Sequence, residues 1–303
     1  MNKTFISICK MSQEDLKSYL EIQLQNTHKE ITVGDGYIYA QGKFPVLLVA
    51  HMDTVHKDLP KFFDYNPKNN SLSSPQGIGG DDRCGIYMIL EVIRRYNCSV
   101  LFCEDEEIGA VGAGKFVKTD LAKQLEFNYI IEFDRTGCND AVFYNCDNPD
   151  FEEFITKDFY KTSWGSFSDI SVVAPALGCA AVNLSCGYYK AHTTNEYVVL
   201  SEMENSIYEA CKILERTTDE DKFEYIEAVN YFKGRYSDYD WGFDDYGCEE
   251  LYYMFEFLDA DGQTDWYDTY AFNKVEAVGN FCMTHPEISY KDVLDIYVDK
   301  AYI

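Results

Sequence analysis

The chain contains only five histidines: His28, His51, His56, His192 and His285. Imidazole carries protons near neutral pH and is a common metal ligand, so their surroundings are informative. His51 follows directly on the apolar run Val46-Leu47-Leu48-Val49-Ala50, and Asp53 stands two residues on. In extended chain, residues i and i+2 project to the same side. A carboxylate there can orient the imidazole while the other ring nitrogen ligates a metal. A second run, Ser99 to Cys103, ends in Glu104-Asp105-Glu106-Glu107. Four consecutive acids are costly unless water or cations neutralise them, so a solvated acidic loop and a cation site are both open readings. Asp134 closes a third run, Tyr129-Ile130-Ile131-Glu132-Phe133, and His192 lies beyond a fourth, Ala180 to Leu184. Asp81-Asp82 follows Gly77-Ile78-Gly79-Gly80. Those glycines could cradle phosphate, but the segment lacks the Lys-Ser/Thr of a P-loop and puts two acids where phosphate would lie, so we discard that reading.

These groups need elements to bring them together. The apolar runs are short and continuous, as expected for strands buried on both faces. Between them the spacing predicts helices. Ser12 is a good N-cap, followed by Leu16, Tyr19, Leu20 and Leu24. Cys84 to Tyr96 places Ile86, Ile89, Leu90 and Ile93 on one face. Ser201-Glu202-Met203-Glu204 has the form of a capping box, continued by Ile207, Ala210 and Leu214. Strands alternating with helices imply an α/β layer fold with a largely parallel sheet. His51, Glu106-Glu107 and Asp134 then fall at carboxyl ends of strands, Asp81 precedes a helix and His192 follows a strand. Ligands of open α/β sheets bind at that edge. Two histidines and several carboxylates converging there suit a pair of Zn²⁺ ions bridged by one carboxylate, with a spare carboxylate as general base.

The composition excludes other classes. The chain has 303 residues and a net charge of −26. That surface repels nucleic-acid phosphates and anionic membranes. The apolar share of 46% is that of a folded protein. No segment is long and apolar enough for a transmembrane helix, and the N-terminus lacks the apolar core of a signal peptide. The 11 cysteines are scattered, with no CxxC pair. They read as reduced, buried apolar groups, and a cytoplasmic protein is expected. Residues 226–303 differ: they hold 17 acidic residues against 5 basic ones and 11 of the 25 tyrosines. Asp238–Trp241 and Asp244–Tyr246 read as loops there, and Glu249–Leu258 and Tyr290–Tyr302 as helices. The expected division is a hydrolase domain over residues 1–225 and an acidic, Tyr-rich accessory region over 226–303.

The segments His51-Met52-Asp53, Gly80-Asp81-Asp82-Arg83-Cys84-Gly85, Asp105-Glu106-Glu107-Ile108-Gly109, Asp134 and Ala191-His192-Thr193-Thr194-Asn195-Glu196-Tyr197 occur in this order. Together they resemble the five metal-site blocks of the co-catalytic zinc exopeptidases, and most of all the peptidase T, carboxypeptidase G and aminoacylase group. The stretch from Ser168-Asp169 through Val198, with Gly178 and Gly187-Tyr188-Tyr189, is similar to that group too. The resemblance spans roughly residues 45–215. It implies a three-layer α/β/α sandwich of the phosphorylase/hydrolase-like kind with a mostly parallel sheet. It implies two Zn²⁺ per chain, with Co²⁺ or Mn²⁺ able to substitute. His51, Asp81 and Asp134 would bind one ion, and Asp81, Glu107 and His192 the other, with Asp81 bridging. Asp53 would fix the tautomer of His51, and Glu106 would be the general base. A cis peptide is implied between Asp81 and Asp82.

The chain departs from that pattern in three places. Arg83 stands where the group has Lys, which keeps charge but not geometry. Relatives of the peptidase T type insert a lid domain before the last histidine, and residues 135–191 leave no room for one. Residues 226–303 match nothing in the group, and a cover over the mouth of the site is one role for them. His56 reads as a loop histidine, His285-Pro286 as a loop before a helix, and Cys84 as a helix-packing residue. Arg135 reads as half of a structural ion pair, with a substrate carboxylate as the other reading. No Gly-x-Ser-x-Gly elbow supports a serine hydrolase. The expected activity is hydrolysis of a terminal amide bond of short peptides, in aminopeptidase fashion because the lid is missing. The alternatives are a deacylase of N-acyl amino acids and, from another class, an inactive metal-binding interaction protein. The oligomeric state is not readable.

Overall fold

Val46, Leu48 and Ala50 face one apolar layer while Leu47 and Val49 face another, and all five are fully buried. In the computed structural model this run is the inner strand of a sheet covered on both sides. The structure describes residues 3–228, 251–259, 262–271, 281, 284–285 and 293–299. The chain divides into two units, Met1–Val229 and Asn230–Ile303.

The first unit begins with helices α1 (Lys3–Cys9) and α2 (Gln13–Leu24) and strands β1 (Glu30–Gly34), β2 (Tyr37–Gln41) and β3 (Phe44–His51). It continues through β4 (Asp64–Asn66), β5 (Ser71–Ser73), α3 (Gly80–Val92), β6 (Cys98–Cys103), α4 (Val111–Phe116), β7 (Tyr129–Arg135) and β8 (Asp140–Val142). Then come α5 (Pro149–Thr156), β9 (Lys161–Ser163), α6 (Ile170–Leu177), β10 (Ala181–Ser185), β11 (Tyr188–Tyr189), β12 (Tyr197–Val199) and α7 (Leu200–Arg216). The main sheet has eight strands in the order β1-β2-β6-β3-β7-β10-β8-β9. Its centre, β6-β3-β7-β10, is parallel, so those four strands deliver their carboxyl ends to one edge. One core layer draws on α1, α2, α3, α5 and α7, and the other on α4 and α6. This is the mostly parallel α/β/α architecture expected from the sequence. A small antiparallel sheet, β11-β12-β5-β4, lies beside it in the same unit.

Local chemistry explains the helix boundaries. Ser12 caps α2, its Oγ accepting the Asp15 N–H at 3.1 Å. Asp81 and Asp82 lie within the assigned span of α3 but have non-helical backbone angles, so regular helix starts after them. Their peptide bond is cis, as the resemblance implied. The helix ends at Val92, short of the expected Tyr96, because Arg95 N–H turns back tightly to the Val92 carbonyl. The capping box read at Ser201 does not form. β12 runs straight into α7, Val199 takes the N-cap position, and the Leu200 N–H is satisfied by the Asn70 carbonyl. Leu48 is fully enclosed. Leu48→Ala is therefore expected to lower unfolding free energy by about 2–5 kcal/mol, read by denaturant titration; a loss below about 1 kcal/mol would deny a packed core at that strand.

The second unit corrects two expectations. Glu249–Leu258 and Tyr290–Tyr302 are not helices: they contain β13 (Leu251–Leu258) and β15 (Val293–Asp299), which pair with each other and, through β13, with β14 (Thr264–Ala271). The reason is period-two burial. Tyr253, Phe255 and Phe257 are buried while Met254, Glu256 and Leu258 between them are half-exposed. Aromatic side chains also favour the pleated surface. Phe281 stacks on Phe255 at 4.8 Å, and the His285 ring stacks on Phe281 at 5.0 Å. His285 is thus part of an aromatic core. Asp238–Trp241 and Asp244–Tyr246 lie outside the described residues. Among the described residues, no helix is long and apolar enough to cross a membrane.

Candidate metal centre

β3 ends at His51, β6 runs into Glu104–Glu107, and β7 carries Asp134 near its end, so parallel packing alone brings three donor segments to one edge. Asp81 comes from the head of α3. His192 comes from the turn between β11 and β12, at a positive φ of 63°. His51 Nε2 lies 3.0 Å from Asp81 Oδ1 and 3.5 Å from Asp134 Oδ1. His192 Nε2 lies 3.1 Å from both Asp81 Oδ2 and Glu107 Oε2. The donor atoms of each set lie within 4.8 Å of one another, and Asp81 belongs to both sets through different oxygens.

A neighbouring shell holds these groups. Asp53 Oδ1 meets His51 Nδ1 at 3.1 Å, and its two oxygens accept the main-chain N–H groups of Glu106 and Glu107 at 3.0 Å each. One carboxylate thus orients the histidine and the acidic loop together. Gln13 grips the same loop from α2: its Nε2 donates to Asp105 Oδ1 and its Oε1 accepts the Asp105 N–H. Lys17 pairs with Glu104 at 2.8 Å. Asn183 accepts the Asp134 N–H at 2.8 Å and donates to the Asp134 carbonyl at 3.0 Å, and Ser168 Oγ donates to Asp134 Oδ2 at 2.9 Å.

The electrostatics are those of crowded buried acids. Burial would pull the His51 imidazole down, but the Asp134 charge and hydrogen bonds accepted by Asp134, Asp53 and Asp81 leave it well above the ordinary range. Hydrogen bonds to Asp81 and Glu107 push His192 up to about 11. Burial raises Asp134 to about 6, with Asp81 adding and His51 opposing. Burial raises the Glu106 carboxyl to about 9, opposed by His51 and reinforced by Asp134, Asp169 and Glu107. Glu106 therefore lies in the field of the whole cluster.

Three observations fit a pair of divalent cations. The nitrogen–oxygen spacings of 3.0–3.5 Å match the edge of a tetrahedron of donors, about 3.3 Å for bonds of about 2.0 Å. Both nitrogens of buried His51 face carboxylates, and the extra proton that those carboxylates favour on the ring occupies the place on Nε2 that a cation would take. Glu107 Oε1 is buried with no hydrogen-bond partner among the described residues. Histidine and carboxylate donors together suit zinc and similar ions.

The remaining sequence candidates sort as follows. Arg135 pairs with Asp140 at 3.2 Å. Cys84 is enclosed in the core on α3. Arg83 is buried and donates Nη2 to the Met11 carbonyl, so it braces the α1–α2 turn. His56 is no free loop histidine: its Nε2 meets Glu196 Oε2 at 2.9 Å. Sequence reasoning does not single out Asn183, Ser168 or Gln13 as site residues. Asn183 carries a signal as a lone amide in the apolar run Ala181–Leu184, and Ser168 only as the start of the stretch that resembles the zinc exopeptidases.

No protein-family model and no curated protein sequence matches the chain. Solved structures do. The chain superposes on an aminopeptidase PepT from Bacillus cereus with a TM-score of 0.56 and 14% identity, covering 70% of this chain and 96% of that one. For a tripeptidase from Staphylococcus aureus the values are 0.55 and 13%, covering 70% and 96%. For an aminopeptidase from the archaeon Desulfurococcus kamchatkensis they are 0.55 and 14%, covering 71% and 95%. At such identities the likeness is one of fold. The chain has the fold of these aminopeptidases, in line with the resemblance read from its sequence.

Proposed function

We propose that the chain is a two-metal hydrolase that removes a terminal residue from short peptides, in aminopeptidase fashion. The observation that carries this reading is Asp81, whose two oxygens face two separate histidine–carboxylate sets. His51, Asp81 and Asp134 would hold one cation and Asp81, Glu107 and His192 the other, with Zn²⁺ favoured by the donor chemistry. Bound there, the ions would supply Lewis acidity to the scissile carbonyl and to a neighbouring water. The chain's own groups do the rest. Asp53 holds the proton on His51 Nδ1, which leaves the Nε2 lone pair free to ligate. Kept ionised by the charge of the cations against the burial that raises it, the Glu106 carboxylate takes the proton of the attacking water and passes it to the nitrogen of the leaving amine. Asp53 fixes the Glu106 main chain at the same time. The His192 side chain is 56% exposed, so that flank of the cluster is open to a substrate. Residues 1–225 would form the catalytic domain and 226–303 an accessory region.

The test is a panel of dipeptides and N-acyl amino acids after reconstitution with Zn²⁺, Co²⁺ or Mn²⁺. Dialysis against a chelator is expected to abolish hydrolysis, and either Zn²⁺ or a substitute ion to restore it. Free-amine dipeptides are expected to be cleaved and their N-blocked counterparts spared. Cleavage of N-acyl amino acids alone would make the chain a deacylase. Two bound ions with no hydrolysis of any substrate would leave the interaction-protein reading.

A further inference from the structure

Glu196 is fully buried and lies outside both donor sets, yet it holds the main chain of Asp81 and shares a turn with His192. Its Oε2 accepts the Gly79 N–H at 2.8 Å and meets His56 Nε2 at 2.9 Å. Its Oε1 accepts the Asp81 N–H at 3.0 Å. The residue comes four positions after His192 in the β11–β12 turn. That turn is closed by Thr193, whose carbonyl accepts the Glu196 N–H at 3.1 Å and whose Oγ1 donates to the Lys190 carbonyl at 2.8 Å. One carboxylate therefore joins the segment that carries Asp81 to the turn that carries His192.

The glycine run that a phosphate loop would have explained has a different use here. A Cβ at Gly77 would run into the His56 ring. A Cβ at Gly80 would come within 2.8 Å of Tyr188 Cβ and 3.2 Å of Glu196 Oε1. The missing side chains let residues 77–80 wrap closely around the Glu196–His56 pair, so that main-chain N–H groups reach the carboxylate. His51 and Asp134 have no such dependence. They are anchored by the ladder of the central sheet and by Asp53, Asn183 and Ser168.

We propose that Glu196, seated by His56, is a positioning residue that sets the distance between Asp81 and His192. On this view it governs cation binding at the Asp81–Glu107–His192 set more than at the His51–Asp81–Asp134 set. The inference rests on the two-metal reading above. Partners that orient metal ligands typically change affinity by about 10–100-fold when lost. The effect here falls on one of two sites, and a general loss of packing would not produce that asymmetry.

The experiment is a calorimetric titration of metal-free, full-length protein with Zn²⁺, with the thermal midpoint of each metal-free variant recorded. Wild type is expected to bind two equivalents. Glu196→Ala is expected to keep one equivalent at near wild-type affinity and to bind the second at least roughly tenfold more weakly. His56→Ala should weaken the same step by less, and His56→Gln, which keeps a donor toward Glu196, should restore it. Equal weakening of both steps, or no change in either, would overturn the proposal. If Glu196→Ala does not fold, the His56 pair decides: second-step weakening rescued by Gln supports the proposal, and an unchanged His56→Ala overturns it. Wild type binding fewer than two equivalents would instead overturn the two-metal reading itself, so the two failures are distinct.

Discussion

Glu106→Gln is expected to retain two divalent cations per chain and to lose turnover by a factor of about 10³ or more. General-base groups contribute about 10²–10⁴-fold. The amide of Gln has nearly the shape of the carboxyl group but cannot accept a proton from water. Glu106 belongs to neither donor set, and its main chain is held by Asp53 rather than by its own carboxyl group. The substitution should therefore leave the ligands in place. The loss should appear in kcat, with KM nearly unchanged, because the missing interaction acts in the transition state. Metal content by atomic emission and kcat on a cleavable dipeptide decide the matter together. Full turnover with two ions bound would remove Glu106 from the chemistry. Loss of metal along with activity would make Glu106 a ligand instead.

Asp81→Ala is expected to be the most damaging single change to metal binding. Asp81 is the one residue common to both donor sets, and it uses a different oxygen for each. Removing it leaves His51 with Asp134, and His192 with Glu107, two donors apiece. Two protein donors are fewer than the three that catalytic zinc sites normally have. Dialysed Asp81→Ala should hold well under one equivalent and have no activity. His192→Ala removes a candidate donor from one set only, so it should keep close to one equivalent. That graded series of two, one and almost none is specific to a bridged pair. Asp81→Ala that retained both ions would sink the bridging assignment, and His192→Ala that retained two would remove His192 from the site.

Much of this centre is legible in the sequence, for a local reason. His51, Glu107 and Asp134 sit at or just beyond the ends of apolar strands, and both the strand and its polar terminus are visible within a few consecutive residues. Parallel pairing then does the assembly, because neighbouring parallel strands end on the same side. Asp53 is legible for the same reason, two residues from the histidine it orients. Sequence reasoning fails where local signals compete. Leu251–Leu258 mixes one acid, Glu256, with tyrosines and phenylalanines and has no turn residue, so helix and strand both fit until Phe281 and His285 cover one face. Ser201 has the composition of a cap, but β12 continues into the helix and takes that place.

The donor types, their order along the chain and the α/β layering are thus properties of the amino-acid sequence, since they follow from apolar periodicity and from what stands at each strand end. How the donors divide into two sets around Asp81 is a property of the folded chain, because that division depends on distances between residues 30 to more than 100 positions apart. The same holds for Glu196 as the link between the Asp81 segment and the His192 turn, 115 positions from the N–H it accepts. Such contacts leave no periodic trace in the sequence. They come from the packing of elements whose order in space differs from their order in the chain.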